Sequence, residues 1–233
     1  AGTASYLAME DYTSYSDSDV GLLALGGLWG TWQGNAMWQA LGGTSDSTRT
    51  GARLLGGATG LIATTAVSQF ADWEWERIAW ASSGGAVGSI LGGGLGLMAS
   101  DLPAEGRWTL SVIGGWSGLL SELLLVPDSE FTGGDVAAMV AGTGWGIGQS
   151  WLIANAVDAS ETALIGALMF GGSVGYLSGE VYGRATDANA SAVLYTELAS
   201  YGSVAMGSGS VLLGGGSDET LAVVTSLAGG GAK

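Results

Sequence analysis

Long, uncharged, glycine-studded apolar runs alternate along this chain with short knots rich in Asp and Ser. Taking Asp17, Asp46, Asp72, Asp101, Asp128, Asp158, Asp187 and Asp218 as the knots, successive spacings lie between 26 and 31 residues. A period of that size is one supersecondary unit used repeatedly. The pattern predicts a single domain of tandem repeats of about 29 residues over 17–233, preceded by an N-terminal extension at 1–16. Between knots, after a short turn, roughly 22 to 25 residues remain in each unit, and as α-helix these span about 33 to 38 Å.

The knots carry helix-start chemistry. At 101–105, Asp101 is placed to cap, Pro103 sits where a missing N–H is harmless, and Glu105 falls in the first turn, where the helix dipole favours an acid. Glu161 follows Asp158 by three residues, and Ser217-Asp218-Glu219-Thr220 repeats the theme. Within the runs, small residues fall four apart. Gly84, Gly88, Gly92 and Gly96 form one series, Gly171, Gly175, Gly179 and Gly183 a second, and Gly26, Gly30 and Gly34 a third, with Gly114/Gly118 and Gly142/Gly146 as shorter pieces. This spacing draws a ridge of bare backbone down one helix face. The fold class expected is therefore all-α, an up-down array of about eight Gly-rich helices, transmembrane in character. The alternative is a Gly-rich β-barrel or β-repeat, because two strands of about ten residues also fill the period. It requires alternation, which 54–63 and 120–126 lack; 203–212 is the most strand-like stretch.

Composition narrows the chemistry. The chain has 233 residues with 44 Gly, 2 Pro and 10 Trp, which fits neither collagen nor a disordered linker. With no Cys and no His, disulfides, thiolate chemistry, imidazole metal sites and His-based catalysis are excluded. A formal charge of −15 opposes a phosphate backbone, so nucleic acid is not an expected partner. The first residues lack the basic and apolar regions of a signal peptide; a start at Ala1-Gly2-Thr3 suits a mature secreted chain or a fragment.

Glycine costs about 1 kcal/mol relative to alanine in a water-exposed helix, so the seven between Gly84 and Gly96 need an offsetting environment. A bilayer supplies one by enforcing backbone hydrogen bonding while small residues let helices approach closely. The stretches 79–100 and 136–157 are uncharged and long enough to span hydrocarbon. Trp38, Trp73, Trp75, Trp80 and Trp108 flank the runs as interfacial residues would, whereas Trp29, Trp116 and Trp145 lie mid-run and read as packing knobs. Against this, the mean hydropathy of +0.38 is low for an inner-membrane protein, and Arg49, Arg53, Arg77, Arg107 and Arg184 show no one-sided bias. Low hydropathy suits a helical protein bound for an outer membrane, or a large soluble bundle.

The tracts Gly26-Gly27-Leu28-Trp29-Gly30-Thr31-Trp32, Ile113-Gly114-Gly115-Trp116-Ser117-Gly118 and Gly144-Trp145-Gly146-Ile147-Gly148 resemble the glycine-zipper helical repeats of bacterial envelope proteins. The resemblance covers nearly the whole chain and is generic. It implies membrane insertion and tight helix packing, and it brings no catalytic motif. The last repeat, ending at Lys233, departs from it by being short, as a cap or truncation would be.

Three carboxylates fall within apolar runs. Glu122 and Glu197 are candidates for an ion path, since a charge held at membrane depth is costly, while Glu180 stands four residues from Arg184, the spacing of an ion pair. Asp17, Asp19, Asp128, Glu130 and Asp135 cluster hard oxygens as calcium loops do, but match no calcium motif, and helix capping accounts for them. No P-loop or catalytic triad can be assembled. The expectation is a non-enzymatic structural or assembly element of a bacterial envelope membrane, outer membrane favoured, without cofactor. Its partners would be the lipid bilayer and further copies in a homo-oligomer or larger envelope assembly. The helix-packing residues would be Gly26, Gly30, Gly34, Gly84, Gly88, Gly92, Gly96, Gly171, Gly175 and Gly179. Alternatives are a membrane channel or transporter subunit, and a soluble extracellular scaffold.

Overall fold

The computed structural model describes residues 16–70, 74–125, 132–186 and 189–196. The described residues are all-α. Among them six long helices follow one another: α1 (Asp17–Ala40), α2 (Asp46–Ser68), α3 (Trp75–Met98), α4 (Ala104–Leu125), α5 (Gly133–Ala156) and α6 (Glu161–Thr186), with helical backbone again over 190–196. Among the described residues there is no strand, so the β alternative fails for them, and 203–212 lies outside. Glu197, Asp72, Asp128, Glu130, Asp187, Asp218 and nearly all of the 1–16 extension also lie outside the described residues.

The knots do start the helices, though not always through the expected side chain. Ser16 and Asp19 form a reciprocal capping box at α1, and Thr132 and Asp135 form another at α5. Asp101 is displaced from its expected role: α4 begins at Ala104 and the Pro103 carbonyl accepts the Arg107 N–H, so the rigid proline, not the acid, stands at the helix boundary. Asp158 is likewise not the cap of α6. Ser160 is, its Oγ accepting from the Ala163 N–H at 3.3 Å, while Asp158 adopts a left-handed φ of 50° just past α5. There its N–H reaches the Asn155 carbonyl and the Ala159 N–H reaches the Ala154 carbonyl, closing a Schellman turn. Gly42, with φ of 73°, closes α1 in the same way through Gln39 and Trp38.

Consecutive helices pair as antiparallel hairpins, α1 with α2, α3 with α4, and α5 with α6. The hairpins join in a row: α4 lies on α1, α6 lies on α3, and α1 also touches α3. Among the described helices α2 meets only α1, and α5 meets only α6. Because directions alternate, the N-termini of α1, α3 and α5 share one end of the bundle with the C-termini of α2, α4 and α6. Arg77 and Arg184 lie toward that end and Arg49, Arg53 and Arg107 toward the other.

Candidate functional site

The hairpins close on bare backbone. A Cβ added at Gly30 would fall on the Gly56 carbonyl oxygen, and one added at Gly26 on Thr64 and 2.7 Å from the Gly60 oxygen. Gly34 meets Ala52 in the same manner. In the second hairpin Gly84 faces Gly118, Gly88 faces Gly114, Gly92 faces Leu110, and Gly96 sits with its absent Cβ 2.9 Å from the Arg107 Cα. In the third, Gly175 faces Gly142, Gly171 faces Gly146 and Ser150, and Gly179 faces Ala138 and Met139. All ten sequence-assigned packing glycines thus lie where another element leaves no room for a side chain. Carbonyl oxygens reach across to glycine Cα groups, the geometry of weak Cα–H···O contacts.

The unit that recurs is the hairpin. Gly26, Gly84 and Gly142 stand at intervals of 58 residues, as do Gly30, Gly88 and Gly146. Their partners follow: Gly56 and Gly60 in α2, Gly114 and Gly118 in α4, then Gly171 and Gly175 in α6, one residue short of the same interval. The 29-residue period is one arm of this unit. Gly56 and Gly60 escaped the sequence reading although they too are four apart.

A second interface joins the hairpins. A Cβ at Gly94 of α3 would lie 2.8 Å from both the Gly166 oxygen and the Phe170 nitrogen of α6, and 3.0 Å from the Met169 Cβ. Between α1 and α4 the rings of Trp29 and Trp116 meet edge to face at 6.2 Å, which fits the knob role expected of them. Trp80 departs from its expected interfacial role: it is 1% exposed, the largest fully buried side chain of the described residues.

Trp80 is buried because it belongs to an ionic cluster. The Arg184 guanidinium lies 4.0 Å over its ring, donates to Glu122 Oε2 at 2.9 Å, and pairs with Glu180 one helical turn away. Glu122 and Glu180 side chains are 8% and 5% accessible. Gly84 makes space for Glu122, whose Cγ occupies the place its Cβ would take, and Gly183 does the same for Asp135, whose Oδ1 lies 2.7 Å from the missing Cβ. The ion pair expected for Glu180 with Arg184 is present. Glu122, expected on an ion path, has its carboxylate engaged by that same arginine. The arginine spans 62 residues of chain to reach it, a contact that nothing in the sequence pattern marks.

Interior hydroxyls are used within the backbone. Ser89, Thr143 and Ser173 each donate to the carbonyl four residues earlier, and Ser111 donates across the α3/α4 interface to the Ser89 carbonyl at 2.8 Å. The exterior is the opposite of the interior. Leu28, Ile62, Ile113, Leu120, Val140 and Val174 all stand exposed on helix faces. Between the ends of the helices, 20–40, 54–68, 78–98, 108–121, 136–156 and 162–179 contain no charged residue. One helix among the described residues, α6, is long and apolar enough to cross a membrane by length and composition.

No family model, curated protein or solved structure matches the chain.

Proposed function

We propose that this chain is a non-enzymatic structural or assembly element of a bacterial envelope membrane, built from about eight glycine-packed helices. The observation that carries the reading is the distribution of side-chain size: bare backbone along the seams where helices pair, many large apolar side chains outward, and charge confined to the ends. In water such a surface costs about 25 cal/mol for every Å² of apolar area it exposes. In hydrocarbon that cost vanishes, and close backbone packing becomes the main source of helix association. The uncharged stretches of α1, α3 and α5, 21 residues each, rise about 32 Å as helix and match a hydrocarbon core of about 30 Å, while those of α2 and α4, at 15 and 14 residues, fall short of it.

The outer membrane is the favoured location. Among the described helices only α6 reaches the hydropathy of a membrane span, and such low hydropathy would let the chain avoid arrest in the inner membrane and insert later. Glu122, Glu180 and Arg184 then serve as a structural clamp near one end of the bundle, not as a path for ions.

Carbonate extraction and detergent phase separation of the expressed chain provide the test. The protein is expected in the membrane pellet and the detergent phase; recovery in the carbonate supernatant and the aqueous phase overturns the membrane reading.

A further inference from the structure

The buried cluster around Arg184 does not balance its charges. Glu122 of α4 and Glu180 of α6, whose side chains are 8% and 5% accessible, each place an oxygen on the same arginine nitrogen, Nη2, so two carboxyl groups share one guanidinium. The second Glu180 oxygen, Oε2, is buried and has no hydrogen-bond partner. Other groups facing the pair bring no further positive charge inside. From α5, Asp135 adds a third acid, engaged in its cap with Thr132. Tyr176 of α6 stands nearby against Ser83 of α3. α3 also supplies Trp80, whose ring Arg184 covers, and Arg77, which is exposed and donates to the Leu123 carbonyl at 3.0 Å. Arg49, Arg53 and Arg107 lie toward the opposite end of the bundle.

We propose that Glu122 and Glu180 form a proton-binding site, holding one proton between them at neutral pH so that the cluster with Arg184 carries no net charge. Like charges that share a buried site force a proton onto one of them, because neither water nor a second cation is there to support both. The unpartnered Oε2 marks the Glu180 carboxyl as the proton's place, which leaves Glu122 ionised against Arg184. A metal ion in place of the proton would need more oxygens, and among the described residues no group of three acids is set to hold one. The proton has a mechanical consequence. α4 and α6 do not pack on each other, and the arginine bridge joins them across that gap. Release of the proton sets two like charges on the bridge and loosens this end of the bundle. The folded chain then binds one proton more than the unfolded chain above the ordinary glutamate range of about pH 4.3, so stability falls as pH rises until the proton is released.

The inference rests on the burial and geometry of the cluster and not on lipid around the bundle, so the outcome of carbonate extraction leaves it untouched. Glutamine has the shape of a protonated glutamate, which makes Glu122→Gln and Glu180→Gln variants that keep the packing. Infrared spectra of the purified full-length protein at neutral pH should contain the carbonyl stretch of a protonated carboxylic acid. Either single variant should lose it, since the remaining carboxylate then has Arg184 to itself. No such band in the parent overturns the proposal, as would follow if Lys233 paired with Glu180. Its persistence in Glu122→Gln also overturns it, because Glu180 would then be neutral through burial alone and not through sharing. Thermal unfolding gives an independent reading: from about pH 5 to about pH 8 the parent's melting temperature should fall, while that of Glu180→Gln should stay level and end above the parent's. Parallel curves for the two proteins would sink the proton's role in holding α4 to α6.

Discussion

At the scale of single residues, the strongest constraint is the cluster around Arg184. Removing one partner of a buried ion pair leaves an uncompensated charge and costs about 3 to 5 kcal/mol, whereas replacing the whole group by apolar or neutral residues of similar size is close to neutral. Arg184→Met is therefore expected to destabilise the protein by about that amount in thermal or denaturant unfolding. Adding Glu122→Gln and Glu180→Gln to it should recover most of the loss; equal losses for the single and triple variants would show that the arginine acts through packing on Trp80 alone. The left-handed turn at Asp158 predicts the opposite sign. Gly42 holds the matching turn after α1 with no Cβ, so Asp158→Gly should relieve local strain and stabilise by about 0.5 to 1 kcal/mol, read as a higher melting temperature. Of the cluster only the Glu180–Arg184 pair is legible in the sequence, and the turn at Asp158 is not. A carboxylate after a helix reads as a cap for the next one, and the backbone angle that decides otherwise depends on where α5 ends.

At the scale of the helices, glycines divide by what stands opposite them. At Gly30, Gly88 and Gly146 the neighbour is a carbonyl oxygen on a packed helix, which cannot rotate away. At Gly106 the nearest atom to an added Cβ is the Leu102 Cδ2 at 3.3 Å, the tip of a flexible side chain. Gly88→Leu should thus force α3 and α4 apart and cost more than the 1 to 3 kcal/mol of ordinary overpacking, roughly, since backbone must move. Alanine at Gly30, Gly88 and Gly146 should cost similar amounts, because the three positions are equivalent in the hairpin repeat. Gly106→Ala should instead be neutral or stabilising by up to about 1 kcal/mol from helix propensity. Unfolding curves of the five variants test this, and a Gly88→Leu protein as stable as the parent would refute backbone contact in the second hairpin. The existence and spans of the helices were legible because knots and uncharged runs alternate so regularly. Their pairing was not. Four-residue glycine spacing marks a bare face but does not say which helix meets it, and Gly51 and Gly148 lie in similar tracts while facing open space. Aligning Gly26, Gly84 and Gly142 would have exposed the 58-residue hairpin, but the 29-residue period of its arms masks it.

At the scale of the whole molecule, the solvent decides what the outward side chains are for, and tryptophan reports the solvent. Trp116 lies midway along α4 and is 43% exposed, Trp75 begins α3 at one end of the bundle and is 59% exposed, and Trp80 is sealed inside. If the uncharged band sits in hydrocarbon, variants retaining one of these indoles at a time, reconstituted in vesicles, should separate by depth. Trp116 should emit at short wavelength and be quenched by lipids brominated near the chain ends. Trp75, beside Glu74 and Glu76, should respond to bromine placed near the head groups, in keeping with the amphipathic indole's preference for the interface. Trp80 should respond to neither, because Arg184 and the packed helices shield it. The fold alone makes Trp80 dark in any solvent, so the discrimination lies in the other two. Quenching of Trp116 by iodide from the aqueous phase, with no effect of brominated lipid, would place the apolar faces in water. The leucines and isoleucines of those faces would then require protein cover on every side.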